Sequence, residues 1–184
     1  MSTTPRMQRR RAITSALGLL VLSTATRALA ESIDAPNFTL LSPTLATSGQ
    51  PTAEALATLG AHGFQAVVYL APSTVANAVK EEPELLAPQG IEFVHVPVPF
   101  GAPDESHLDA LSAALSRLRE RKVLVHCEIN MRASTLVFLY RVIHLKESPS
   151  LAYEAVARVW SPRGPWRRLV EEQLAKNRIM FEPY

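Results

Sequence analysis

Cysteine is almost absent: the 184-residue chain holds one, Cys127. No internal disulfide can form, so the fold must be held by its own apolar core, and the chain is long enough to bury one. Acidic residues are missing from the first 30 positions, which hold five of the 19 Lys and Arg and none of the 17 Asp and Glu. Beyond that point the chain carries 14 basic and 17 acidic residues, a net charge of −3, although the whole sequence is at +2. Nothing in that balance points to a nucleic-acid surface. There is no apolar run of the ~20 residues that a spanning helix needs, no internal repeat and no low-complexity tract. The five histidines are scattered without ligand spacing, so neither a metal nor a cofactor is expected.

The acid-free start has the parts of an export signal over residues 1–30. Arg6, Arg9, Arg10 and Arg11 precede an apolar run from Ala12 to Leu22, and Ala28-Leu29-Ala30 supplies small residues for cleavage. The expected location is periplasmic, with no stable membrane span after processing. Arg10-Arg11-Ala12-Ile13 resembles a twin-arginine signal, and an ordinary secretory leader or an uncleaved anchor fits the same pattern. Residues 31–36 read as a linker, and 37–184 as one domain.

Within that domain, short apolar runs alternate with helical patterns. Asn37 to Leu41 reads as an edge strand, Thr52 to His62 as a helix stopped by Gly63, and Ala66 to Leu70 as a central strand. Thr74 to Leu86 has helical character interrupted by Pro83, and Ile91 to Val98 is a further strand. Leu108, Leu111, Leu115 and Leu118 form one helix face. A helix follows at Leu151 to Trp160, and Pro162 and Pro165 break the chain before a last helix to about Asn177. The predicted class is α/β, a central, mostly parallel sheet flanked by helices. Trp160 and Trp166 read as core anchors, and Arg163, Arg167 and Arg168 as a solvated helix end or a basic rim.

The organising stretch runs from Val123 to Leu145. Val123 to Val125 reads as a buried strand and Ser134 to Leu145 as a buried helix, with Cys127 and Arg132 in the loop between them. A strand–loop–helix aims backbone N–H groups and the positive end of a helix dipole at one point, which suits an anion. A cysteine there ionises more readily than a free thiol, whose pKa is about 8.5. An arginine grips two oxygens of a tetrahedral anion with its planar fork. His126 reads as a buried hydrogen-bonding residue, and Asn130 as a brace for the loop.

His126-Cys127, with Arg132 before a helix, resembles the active-site loop of the cysteine-dependent protein tyrosine phosphatase superfamily. Ser48-Gly49-Gln50-Pro51-Thr52 followed by Ala66-Val67-Val68-Tyr69-Leu70 resembles the opening of a bacterial dual-specificity-like group within it. The resemblance implies a tyrosine/dual-specificity phosphatase-like fold and hydrolysis of phosphate monoesters, aryl phosphates first, through a phosphocysteine on Cys127. The substrate would be a phosphoprotein or a small phosphate ester. Arg132 and the loop at Glu128, Ile129, Asn130 and Met131 would hold the phosphoryl oxygens, with Ser134 donating to the sulfur. A carboxylate at Glu128 repels a dianion unless its side chain turns away. The resemblance also asks for an acid ahead of the next helix, where Asp104 is the candidate and Glu105 the second. Pro103 reads as the first helical residue, however, and carboxylates in a first turn serve the helix dipole.

The loop departs from that superfamily in two ways. Four residues separate Cys127 from Arg132 where five are usual, and the loop has no glycine. Four is the spacing of rhodanese-like sulfurtransferases, in which Cys127 would carry a persulfide. A phosphatase-like pocket that binds a phosphorylated ligand without turnover is a third reading.

Overall fold

In the computed structural model residues 32–184 are described, together with Met1. The export signal expected over 1–30 lies, apart from Met1, outside the described residues. Five strands form one sheet: β1 (Thr39–Ser42), β2 (Leu45–Ser48), β3 (Ala66–Tyr69), β4 (Glu92–His95) and β5 (Val123–His126). Their spatial order is β1-β2-β5-β3-β4, with β1 antiparallel to β2 and all other pairs parallel. Every residue of β3 and β5 is buried, which is why both read as continuous apolar runs rather than as alternation.

Six helices surround the sheet: α1 (Ala53–Ala57), α2 (Glu82–Leu86), α3 (Glu105–Arg117), α4 (Met131–Ile143), α5 (Pro149–Ala157) and α6 (Pro165–Lys176). The pleat splits the central strands between two cores. Val67 and Leu124 join Ile33, Leu56, Leu59, Phe64 and Leu86 on one face. Ala66, Val68, Val123 and Val125 face the larger cluster, which holds Leu111, Phe138, Tyr153 and Trp166. Every residue of α4 after Met131 is buried; it is the central helix of this larger core. Among the described residues no helix is long and apolar enough to cross a membrane.

Several boundaries differ from expectation. Strand β2 was not foreseen; its Leu-Ala-Thr-Ser sequence has little strand propensity and is held by pairing to β5. The helix expected over Thr74 to Leu86 is only α2, because Pro83 lies in the first turn of a helix, where its missing N–H costs nothing, and so begins one rather than interrupting it. The strand expected over Ile91 to Val98 contracts to β4. Helix α4 starts at Met131 rather than Ser134, which moves Arg132 out of the loop and into the helix's first turn. The segment at 32–36 is not a free linker. Ile33 is buried, and the carbonyls of Asp34 and Pro36 accept from the Thr52 and Gly49 amides.

Candidate active site

The site forms at the carboxyl ends of the parallel strands, the usual place for ligands in open α/β sheets. There Ser48, His126, Tyr69 and His95 are in register across β2, β5, β3 and β4. The rings of His126, Tyr69 and His95 stack in that order, with centroids 4.7 and 5.1 Å apart. Cys127 follows directly, buried at the floor of the loop, and its amide donates to Ser48 O at 3.2 Å.

The loop is pinned by its carbonyls. Glu128 O accepts from the Gln50 amide at 3.2 Å and from Asn77 Nδ2 at 3.0 Å. Ile129 O accepts from Asn37 Nδ2 at 3.0 Å. The two ends of a trans peptide unit point in opposite directions, so the Ile129 N–H faces away from Gln50 and Asn77. Asn130 stands at φ 76°, the left-handed region. It fills the role of the absent glycine, since asparagine is the side chain that best tolerates that conformation. Its amide group donates to Asn37 O at 2.7 Å and Thr47 Oγ1 at 3.2 Å. Asn130 is therefore the N-cap residue of α4 without capping it. The first-turn amides of Met131, Arg132 and Ala133 have no intrahelical acceptor, and the dipole's positive end is left open to an anion.

Gly49 is required by close approach. A Cβ there would lie 2.9 Å from Pro36 Cβ, 3.0 Å from Glu128 O and 3.0 Å from Ile129 Cα. Gly49→Ala must therefore push the loop backbone off its strand. We expect turnover to fall by roughly 10²-fold, the scale of a loop misplaced by an ångström, with a stability loss of only about 1–3 kcal/mol. Steady-state kinetics beside thermal melts would check this; equal small losses in both would contradict it.

Arg132 is buried and aimed by three contacts. Its Nε donates to Val98 O at 3.0 Å, its guanidinium lies 5.0 Å from the Phe100 ring centroid, and its Nη1 is 3.5 Å from Glu128 Oε2. Glu128 thus does not turn away; its half-exposed carboxylate lies toward the Arg132 guanidinium. Ser134 Oγ donates to Met131 O at 3.3 Å, as a helix residue does, and is not directed at the thiol. Ile129 is exposed and Met131 half-buried at the mouth.

Asp104, expected as the acid, caps α3. Its Oδ1 accepts from Ser106 Oγ and from the His107 amide, while its own amide donates to His107 Nδ1 in a reciprocal capping box. The Ser106 hydroxyl, ahead of the His107 contacts, holds its carboxyl below the ordinary range. It is ionised at neutral pH, the wrong state for a proton donor. Pro103 lies before the helix, and Glu105, its first residue, pairs with Lys176. Sequence reading set the helix start two residues early and expected Asp104 in the first turn serving the dipole; it is instead the N-cap residue.

Beneath Cys127 lies a polar network that spacing could not reveal. His126 Nε2 is 2.7 Å from Glu82 Oε1, and Gln50 Nε2 donates to Glu82 Oε2 at 3.0 Å, all three residues being buried. Tyr69 is buried against it. Desolvation first, then the charge of Glu82, pushes the Tyr69 phenol up to about 12 from 10.0. A raised folded-state pKa stabilises the fold fully below pH ~10 and is lost as pH rises through about 12. Melts across that window should show an alkaline loss of stability that Tyr69→Phe reduces; an identical slope in the variant would refute it.

The comparisons agree with this geometry. A family model described as DSP-PTPase phosphatase fused to NAD+ kinase matches residues 29–164. A candidate phosphatase of Shewanella putrefaciens CN-32, of the DUF442 group, superposes with a TM-score of 0.71 at 26% identity, over 78% of this chain and 94% of its own. The core catalytic domain of the PP-IP phosphatase SIW14 of S. cerevisiae gives 0.59 at 17% identity, over 83% of this chain and 100% of its own. TpbA of P. aeruginosa gives 0.60 at 20% identity, over 74% and 84%. The last two show a shared fold alone. No curated protein matches the chain by sequence.

Proposed function

Because the chain belongs to the family of DSP-PTPase phosphatases and is thereby a phosphoric monoester hydrolase, we propose that it is a periplasmic enzyme that hydrolyses aryl phosphates through a phosphocysteine on Cys127. The observation that carries the reading is the uncapped first turn of α4, with Arg132 in that turn and Cys127 five positions before Arg132. The leader pattern of residues 1–30 supports the location. The sulfurtransferase reading rested on loop length alone, and the family match sets it aside.

In this mechanism an incoming phosphoryl group displaces Glu128 from Arg132. Its equatorial oxygens are taken by the guanidinium, the Ile129 amide and the first-turn amides of α4. The Cys127 thiolate attacks phosphorus in line; an S–P bond forms as the P–O bond to the leaving group breaks. Water then attacks phosphorus, the S–P bond breaks, and phosphate leaves with the thiolate restored. Asp104 is spent on the cap of α3, so the leaving oxygen departs without its help. Phenolates do this readily and alkoxides do not, which favours aryl over alkyl phosphates.

The test is to quench turnover with acid and look for phosphoryl on Cys127 by mass spectrometry of the digested protein. A phosphorylated Cys127 peptide, together with Asp104→Asn retaining aryl phosphate turnover within about threefold, is expected. A loss approaching the 10²–10⁴-fold scale of a general acid would return Asp104 to that role. Turnover without a phosphoenzyme would remove the covalent step.

A further inference from the structure

A cleft of about 490 Å³ opens beside the anion loop, lined by Phe100, Met131, Trp160, Ser161 and Arg163. Two of its walls belong to the catalytic loop's surroundings. Met131 precedes Arg132 in the chain, and Phe100 lies against the Arg132 guanidinium. The cleft therefore lies next to the residues that frame the anion loop.

Its aromatic walls are preformed. Trp160 Nε1 donates to Thr135 Oγ1 at 3.1 Å, and Trp166 Nε1 donates to Phe100 O at 2.8 Å. Both indole donors are thus satisfied within the protein, which fixes the rings. Phe100 packs 5.8 Å from Trp160 and 5.7 Å from Trp166, in tilted geometry. Trp166 is buried as a core anchor, but Trp160 is half-buried and presents part of its surface to the cleft, while Phe100 is exposed. Exposed aromatic surface held rigidly beside an anion site is suited to a flat apolar body.

The lining carries a single cation, Arg163. The backbone at Arg163 is pinned by the Trp166 amide, which donates to Arg163 O at 3.2 Å, just ahead of α6. Its side chain is exposed, and among the described residues it has no ion-pair partner, whereas the neighbouring Arg167 is paired to Glu171. A ligand whose phosphate reaches Arg132 and whose ring lies on Phe100 and Trp160 would bring its distal end toward Arg163.

We propose that this cleft is a specificity subsite, in which Phe100, Met131 and Trp160 hold the aromatic body of the substrate and Arg163 reads an acidic group at its distal end. The preferred substrates are then aryl phosphates bearing a second negative charge. The inference rests on the aryl phosphatase reading above and adds the second charge to it.

The experiment compares kcat/KM for para-carboxyphenyl phosphate with that for phenyl phosphate, in the wild-type protein and in Arg163→Gln. Taking the ratio of the two preferences cancels the intrinsic difference between the leaving groups. We expect the wild-type preference for the carboxylated ester to fall about three- to fivefold in Arg163→Gln, the scale of one exposed ion pair, and to fade with added salt in the wild type. Trp160→Ala should raise KM for both esters by roughly fivefold, the scale of one aromatic contact. Competitive inhibition by inorganic phosphate, which needs only the anion loop, checks that each variant is folded. Hydrolysis of both esters with the same preference in wild type and Arg163→Gln would overturn the subsite and leave the phosphatase reading standing. Hydrolysis of neither ester by the wild type would overturn that reading and the subsite with it.

Discussion

Cys127→Ser is expected to lower phosphate release by on the order of 10⁵–10⁶-fold, the scale seen when a covalent nucleophile is removed. The substitution is nearly isosteric, and the residue is buried beneath a loop held by Gln50, Asn77 and Asn37 rather than by its own side chain. The fold and the anion cradle should survive. Inorganic phosphate should therefore still bind Cys127→Ser, read by calorimetry or by a rise in Tm. Arg132→Lys is expected to behave differently. Lysine keeps the charge but loses the planar fork and the Nε bond to Val98. Turnover should fall roughly 10²–10³-fold, about 2.7–4 kcal/mol of transition-state stabilisation, with phosphate binding weakened as well. Full activity in Cys127→Ser would mean that another group is the nucleophile.

The second large effect falls on a residue that never touches substrate. Glu82 stands between His126 and Gln50, accepting at one carboxylate oxygen from Gln50 and lying 2.7 Å from His126 at the other. Glu82→Ala strips a partner from two buried polar groups at once. Each one left unsatisfied costs about 1–3 kcal/mol, so the variant should lose about 2–6 kcal/mol, or roughly 4–24 °C in Tm for a domain of this size. Glu82→Gln should fall between the two proteins, because an amide has one acceptor oxygen and must turn a donor toward one of its neighbours. Activity should drop more than stability explains at temperatures where the variant is folded. His126 precedes Cys127, and the Gln50 amide holds Glu128 O, so both ends of the network bear on the loop. A melt within a degree of wild type would show that the network is dispensable.

Much of this site was legible before folding. Cys127, Arg132 and the strand–helix change around them are neighbours in sequence, and short-range chemistry fixes what neighbours can do: a loop this short, followed by a helix, presents amides to whatever lies at its mouth. The Ser48-Gly49-Gln50 segment was recognisable as a motif, but its purpose was not. Gly49 matters because the loop backbone passes within 3.0 Å of where its Cβ would be, a contact across 79 residues of chain. The absent loop glycine pointed to a disturbed site. The structure shows Asn130 taking the left-handed turn and spending its side chain on Asn37 and Thr47, so the departure leaves the helix end free.

By itself, then, the sequence determined the α/β class, the cysteine–arginine pair and the anion-seeking character of the loop, because those depend on apolar periodicity and on residues a few positions apart. Only the tertiary structure decided that Asp104 is a helix cap, that Glu128 lies on Arg132, and that Glu82, Tyr69, Asn37 and Asn77 belong to the site. It also split two tryptophans that looked alike, burying Trp166 as an anchor and turning Trp160 to a cleft beside the anion loop. A polar or aromatic side chain takes its role from the partner it meets. For Glu82, Asn77 and Asn37 that partner lies 44 to 93 residues away, and for Asp104 and Glu128 it is a near neighbour that the local backbone must first bring into reach.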